Sequence, residues 1–348
     1  MADTASIDYR EVNLRENSST ASTCTGSNRR DFKDNGFRMT SLQQQLCSSN
    51  IWIAIVASFL IGLLLGKFDI ELLSNKASNM HSIVMKEATT SADSSGAVLV
   101  TGATGRTGSL LYHELKRRGV SDVRAFVRNI TKAQSVLGCT KCDESEGVYL
   151  GDVTKPEDLE RAMMGPRSGG SSPVTTIAIA VGGSSRLSPD MQRQVEFDSV
   201  VHSVKALAHA HENQRNHLRV VLCSSMGTNQ ARPPSSFANI LFWKLNAETF
   251  LSTSALSSTI IVKPCGLPEG MVGKNSTLVV GHNGTIMAGT EYHSVSREDV
   301  ANVMAESVVM ANECGKSKHL RFDLCSRPGP VTTDLKGLIE GARWEWDN

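Results

Sequence analysis

Gly102, Gly105 and Gly108 follow the apolar run Ala97-Val98-Leu99-Val100 in a G-x-x-G-x-x-G spacing, and a helical pattern starts directly after them. A dinucleotide's pyrophosphate is held by backbone N–H groups at a helix N-terminus, where a side chain at the closest approach would block it. The three glycines leave that room, and Thr104, Arg106 and Thr107 fill the rest of the loop. A glycine triplet alone carries little information. Placed between a strand and a helix, with a second apolar strand at Val123 to Val127, it marks a nucleotide-binding unit.

The end of the second strand then bears on the choice of cofactor. An NAD site usually closes there with an acid on the ribose hydroxyl. This chain has Arg128, with Arg106 in the loop and Lys132 nearby. Such cations suit a 2′-phosphate, so the expected cofactor is NADP(H). Asp152 and Val153 follow a third strand; Asp152 can face the adenine or help cap the next helix. Ala180 and Gly182, ending a fourth strand, leave space for the cofactor's flat rings.

The cysteines suggest less. Cys223, Cys265 and Cys325 sit in apolar strand-like runs, where a thiol usually packs as a small hydrophobe. Cys139 and Cys142 are the close pair, but a zinc site needs about four ligands and none follow nearby, so they read as a loop dithiol without function. Asn17, Asn129, Asn275 and Asn283 each begin an N-x-Ser/Thr triplet. A glycan on Asn129 would crowd the phosphate site beside Arg128, which favours a non-glycosylating side of any membrane.

These groups are positioned by apolar strands alternating with helical patterns. Further strands are expected at 147–150, 174–181, 218–223 and 259–262, with helices at 238–251, 295–311 and 333–342. Phe197, Val200, Val201, Val204, Leu207 and Ala208 mark another helix, and Thr154 to Glu157 reads as a capping box for the helix through Met164. The alternation predicts an α/β fold, one doubly wound and mostly parallel sheet of about six or seven strands, over residues 96–345.

Ahead of that domain, residues 1–49 are polar and aperiodic and read as a disordered tail. Residues 51–66, IWIAIVASFLIGLLLG, carry no charge and no polar face. Within 50–67 they are expected to form a single membrane-spanning helix, so the bilayer is an expected partner, and 68–95 reads as a linker. A formal net charge of +1 over 348 residues gives no support to a nucleic-acid partner.

VTGATGRTG at 100–108, Gly151-Asp152, Ser224-Ser225-Met226-Gly227, NILFWKLNAE at 239–248 and TIIVKPCGL at 259–267 occur in fixed order. Together they resemble the NmrA-like, NAD(P)-binding branch of the atypical short-chain dehydrogenase/reductase family, over about residues 97–345. The resemblance implies a Rossmann fold and reductase chemistry on a small organic substrate, with Lys244 on the nicotinamide ribose and Ser224 or Ser225 as the active-site serine. It also implies a tyrosine four residues before the lysine, where this chain has Ile240. An isoleucine transfers no proton, so Ser225, a water held by Lys244, or the substrate itself must do so. Two functions follow as expectations: an NADP-dependent oxidoreductase acting on a carbonyl, enone or quinone, or a non-catalytic NADP-binding sensor or assembly factor.

Overall fold

The computed structural model describes residues 96–165, 172–230, 235–287, 293–313 and 318–343. These residues belong to one compact unit, Ser91–Asn348. The tail, the apolar segment and the linker lie outside the described residues. Among the described residues no helix is long and apolar enough to cross a membrane.

The strands are β1 (Ala97–Thr101), β2 (Val123–Val127), β3 (Val148–Leu150), β4 (Val174–Ile179), β5 (Arg219–Cys223), β6 (Ser258–Pro264), β7 (Thr277–Gly281) and β8 (Lys318–Arg327). They form one sheet in the order β3-β2-β1-β4-β5-β6-β8-β7, with β7 antiparallel and all other pairs parallel. The helices are α1 (Gly108–Arg117), α2 (Ile130–Leu137), α3 (Pro156–Met164), α4 (Pro189–Arg193), α5 (Ser199–Ala210), α6 (Ser236–Ser252), α7 (Arg297–Ala311) and α8 (Leu335–Glu340).

Period-two alternation splits β1 between two apolar layers. Val98 and Val100 join Leu111 and Leu115 of α1 and Val303 and Met304 of α7. Ala97 and Leu99 face the other way, with Leu159 of α3 and Val200 and Leu207 of α5. A strand covered on both faces must be apolar throughout, which is why β1 reads as an unbroken hydrophobic run.

Four expectations are corrected. The sheet has eight strands, because β7 and β8 lie in sequence whose conformation alternation alone does not specify. The capping box does not form: α3 begins at Pro156 with Lys155 before it and no side-chain cap. The Asp152 carboxylate accepts from both the N–H and the hydroxyl of Thr154, a turn that draws Thr154 away from the helix. The helix marked by Phe197 to Ala208 is interrupted, since the five-residue π turn Gln194–Asp198 separates α4 from α5. Finally, two of the three strand thiols are joined, Cys265 to Cys325 where β6 and β8 run side by side, while Cys223 stays free, and the loop pair Cys139 and Cys142 is bonded. The Cα atoms of the two bonded pairs lie 5.5 and 5.1 Å apart, an ordinary disulfide spacing.

One electrostatic link ties the two helices on the β1 face. Glu114 of α1 accepts from Arg117 and Arg118, and Arg118 reaches on to Glu306 of α7. Arg117 foremost, with Arg118, holds the Glu114 carboxyl at about 2 against the opposing effect of burial. The folded value lies below the ordinary one, so this stabilisation is present above about pH 4.5 and is lost as pH falls toward about 2. Thermal melts across that range should show the midpoint of Glu114→Gln falling less steeply than that of the unmodified chain.

Candidate functional site

Strand order reverses at β1, whose neighbours β2 and β4 lie on opposite sides, and ligands of such sheets bind at the carboxyl ends of these strands. The glycine loop occupies that position. Gly102 has φ +71°, and a Cβ on it would stand 2.6 Å from the Ala180 carbonyl oxygen. A Cβ on Gly105 or Gly108 would stand 2.9 or 2.1 Å from the Gly102 oxygen. The chain therefore packs backbone on backbone here, and the loop lies flat under the start of α1. No side chain caps that helix at Thr107 and no acid lies in its first turn. Its open N-terminus suits an anion, so these residues fit a dinucleotide's pyrophosphate.

Two cavities meet across this loop and share Gly105, Lys132, Ala180, Val181 and Gly182. The first, of about 310 Å³, is lined by Gly102, Thr104, Phe126, Arg128 and Val153. The second, of about 520 Å³, takes in Arg106, Thr107, Ser224, Ser225, Ile240 and Lys244. The sequence-derived residues thus divide between an adenosine-sized end and a larger end. Gly108 packs beneath the loop and lines neither cavity, and Asp152 lines neither because its carboxylate serves the turn at Thr154.

Arg128 and Lys132 are exposed at the first cavity, and among the described residues neither has an ion-pair partner. Arg106, grouped with them on charge alone, lies instead on the second cavity and pairs with Glu269, which also binds Arg297 at 3.3 Å. The reason is the loop's geometry, which sends residue 106 toward the segment after β6 rather than toward β2. The 2′-phosphate reading therefore rests on Arg128 and Lys132.

At the larger end, Ile240 of α6 is buried in the wall one turn before Lys244. The Lys244 ammonium lies 2.8 Å from the Glu196 carboxylate, which also accepts from the Gly183 N–H. Burial opposes the charged lysine, but Glu196 beside it outweighs this and raises the Lys244 pKa. Burial raises the Cys223 thiol, against reactivity at that position. Cys265 lines the cavity and is bonded to Cys325.

Ser224 is committed elsewhere: its hydroxyl donates to Glu248 of α6. Glu248, 1% exposed, also accepts from Arg321 at 2.7 Å and lies 3.4 Å from the buried ammonium of Lys263. Ser225 lines the cavity, and its hydroxyl donates to the neighbouring Met226 carbonyl at 3.2 Å.

Sequence reasoning missed Glu196, Glu248 and Arg297. Nothing in the spacing singles out Glu196, which stands among Gln192, Arg193, Gln194 and Asp198 in a mixed polar stretch.

Fold and site together define a Rossmann protein built to hold a dinucleotide. Residues 102–310 match the family described as NAD(P)H-binding, and the chain belongs to it. The NmrA-like resemblance agrees with this membership. The chain is 31% identical over 281 residues to sanguinarine reductase of Eschscholzia californica, covering 70% of this chain and 94% of that protein. It is 30% identical over 267 residues to an uncharacterized chloroplastic protein of Arabidopsis thaliana, covering 70% and 74%. Among solved structures, a putative NAD-dependent epimerase/dehydratase from Bacillus halodurans superposes with a TM-score of 0.51 at 20% identity, over 70% of this chain and 100% of the other, which is a likeness of fold.

Proposed function

We propose that this chain is an NADP(H)-dependent reductase of a small organic carbonyl, enone or quinone, held at a membrane by residues 51–66. The observation that carries the cofactor choice is the pair Arg128 and Lys132 at the adenosine-sized end, without ion-pair partners among the described residues and with no acid at the close of β2. When bound, the cofactor supplies a hydride from its nicotinamide. Lys244 would hold the nicotinamide ribose, and the glycine loop with the N-terminus of α1 would hold the pyrophosphate. Ile240 excludes water beside the reacting face and contributes no proton, so the substrates that fit are those whose reduction asks least of the protein. A relative named as a reductase supports this reading.

Purified full-length chain is expected to oxidise NADPH with at least one member of a panel of quinones and enones. Binding without oxidation of NADPH across the panel would favour the second reading, a non-catalytic NADP-binding sensor or assembly factor. That reading draws on Ile240 in the tyrosine position and on Ser224 being engaged by Glu248.

Arg128→Ala should weaken NADPH by about 10- to 100-fold, the range of a lost charge-assisted hydrogen bond, and leave NADH within about 2-fold. Equal losses for the two nucleotides in a fluorescence titration would remove the 2′-phosphate role. The anchor rests on the sequence of 51–66 and is tested separately. Carbonate washing should leave the chain in the membrane pellet, and its release would overturn the anchor. Protease protection in sealed membranes should place the nucleotide domain on the non-glycosylated side.

A further inference from the structure

Glu196 is an acid placed almost fully inside the fold, at 3% exposure. It sits in the π turn Gln194–Asp198, where the helix widens by one residue between α4 and α5. Such turns re-aim side chains and recur at functional sites. This one puts Val195 and Glu196 inward in succession, both buried. A buried carboxylate is costly unless its oxygens are matched. One Glu196 oxygen accepts from the Gly183 N–H after β4 and the other meets the Lys244 ammonium. Both partners line the second cavity, where Ile240 stands one turn from the lysine.

We propose that Glu196 is the positioning residue for Lys244, holding its ammonium charged and in place at the wall of the second cavity so that the pair, not the lysine alone, serves the cofactor's ribose. This rests on the reading above, in which Lys244 contacts that ribose.

The charged groups around the ammonium come from three elements: Glu196 on the π turn, the Cys223 thiol at the end of β5, and Glu248 on α6 itself. Glu248 is engaged by Arg321, Lys263 and Ser224. The Cys223 thiol is pushed up by burial and stays neutral near pH 7. Glu196 is therefore the acid that offsets the burial of Lys244. Without it, burial acts on the lysine against only the weaker pull of Cys223 and Glu248 and favours the uncharged amine, so cofactor affinity acquires an alkaline decline that the unmodified chain lacks.

The test is the NADPH dissociation constant of the full-length chain from about pH 7 to about pH 9.5, below the ordinary lysine value of ~10.4. The unmodified chain should change by less than about 3-fold, and Glu196→Gln should weaken by about 10-fold or more at the alkaline end, the effect of losing one unit of protonation. Glu196→Asp should restore a flat profile. Lys244→Met should be weak at every pH. The double variant Glu196→Gln with Lys244→Arg should again be flat, because a guanidinium stays charged without help. If Glu196→Gln does not fold, Glu196→Gln with Lys244→Met leaves no unpaired buried charge, and it should bind no more weakly than Lys244→Met alone.

A Glu196→Gln profile that follows the unmodified chain while Lys244→Met is weak would overturn the role of Glu196 and leave the reading of Lys244 intact. In the fold-safe comparison, a double variant markedly weaker than Lys244→Met would do the same, since Glu196 would then act without the lysine. Lys244→Met binding as tightly as the unmodified chain would remove the ribose reading and this inference with it.

Discussion

Gly108→Ala should cost the chain about 100-fold or more in NADPH affinity and lower its melting midpoint as well. The methyl carbon would stand 2.1 Å from the Gly102 carbonyl oxygen and 2.8 Å from its carbonyl carbon, both backbone atoms that cannot rotate away. Relief requires α1 to lift from the loop or the loop to open, and either displaces the helix N-terminus from the phosphate position. Either movement takes backbone N–H groups away from the charged phosphates, and each such hydrogen bond lost costs about 10-fold or more in affinity. Gly119→Ala is the control. Gly119 has φ +77° and no atom within 4 Å of where a Cβ would stand, so alanine there costs only the ~1 kcal/mol of the left-handed backbone. Its NADPH titration should match that of the unmodified chain. Equal affinity for Gly108→Ala and the unmodified chain would mean that the loop does not form the pyrophosphate site.

Glu248→Ala should be the most destabilising single change in the described site. The carboxylate gathers Arg321, Lys263, Ser224 and Thr228, and it is itself 1% exposed. Removing one partner of a buried ionic group leaves the others uncompensated, at about 3–5 kcal/mol. At roughly 2–4 °C per kcal/mol for a domain of this size, the midpoint should fall by about 6–20 °C. Burial already pushes the Lys263 ammonium below its ordinary pKa, so without Glu248 it should lose its proton more readily. Stability of the variant should therefore recover in part as pH rises toward the ordinary lysine value. A loss of less than about 1 kcal/mol, the scale of an exposed ion pair, would show that the cluster contributes little. Ser224 is released in this variant, so its cofactor titration also shows whether the serine prefers the cavity to Glu248.

These two variants also show which parts of the site were legible in the sequence. The glycine loop was, because its requirements are local: spacing, an apolar run before it and a helix after it all lie within a few residues. The parallel strands β1 to β6 were legible for a related reason, since burial on both faces writes itself as an apolar run. Strands β7 and β8 were not, because β7 is an edge strand with a mixed burial pattern and pairs antiparallel with a strand some forty residues on. The Glu248 cluster joins four elements through long-range contacts that no spacing encodes. That Arg106 lies at the second cavity was not legible either, because charge type says nothing about which way a loop residue points. Glu196 lay in a mixed run, Gln192 to Asp198, where an acid is ordinary, and the π turn that brings it inward is not written in the helical periodicity.

The central claim is that the groove at the carboxyl ends of β1 and β4 binds NADP(H) through the glycine loop and the cations after β2. Its most direct test is a paired titration of the full-length chain with NADPH and NADH at neutral pH and fixed ionic strength. The account predicts saturable NADPH binding, with NADH weaker by about 10-fold or more through the missing 2′-phosphate contacts of Arg128 and Lys132. Equal affinity for the two nucleotides would contradict the cofactor choice, and binding of neither would contradict the site itself.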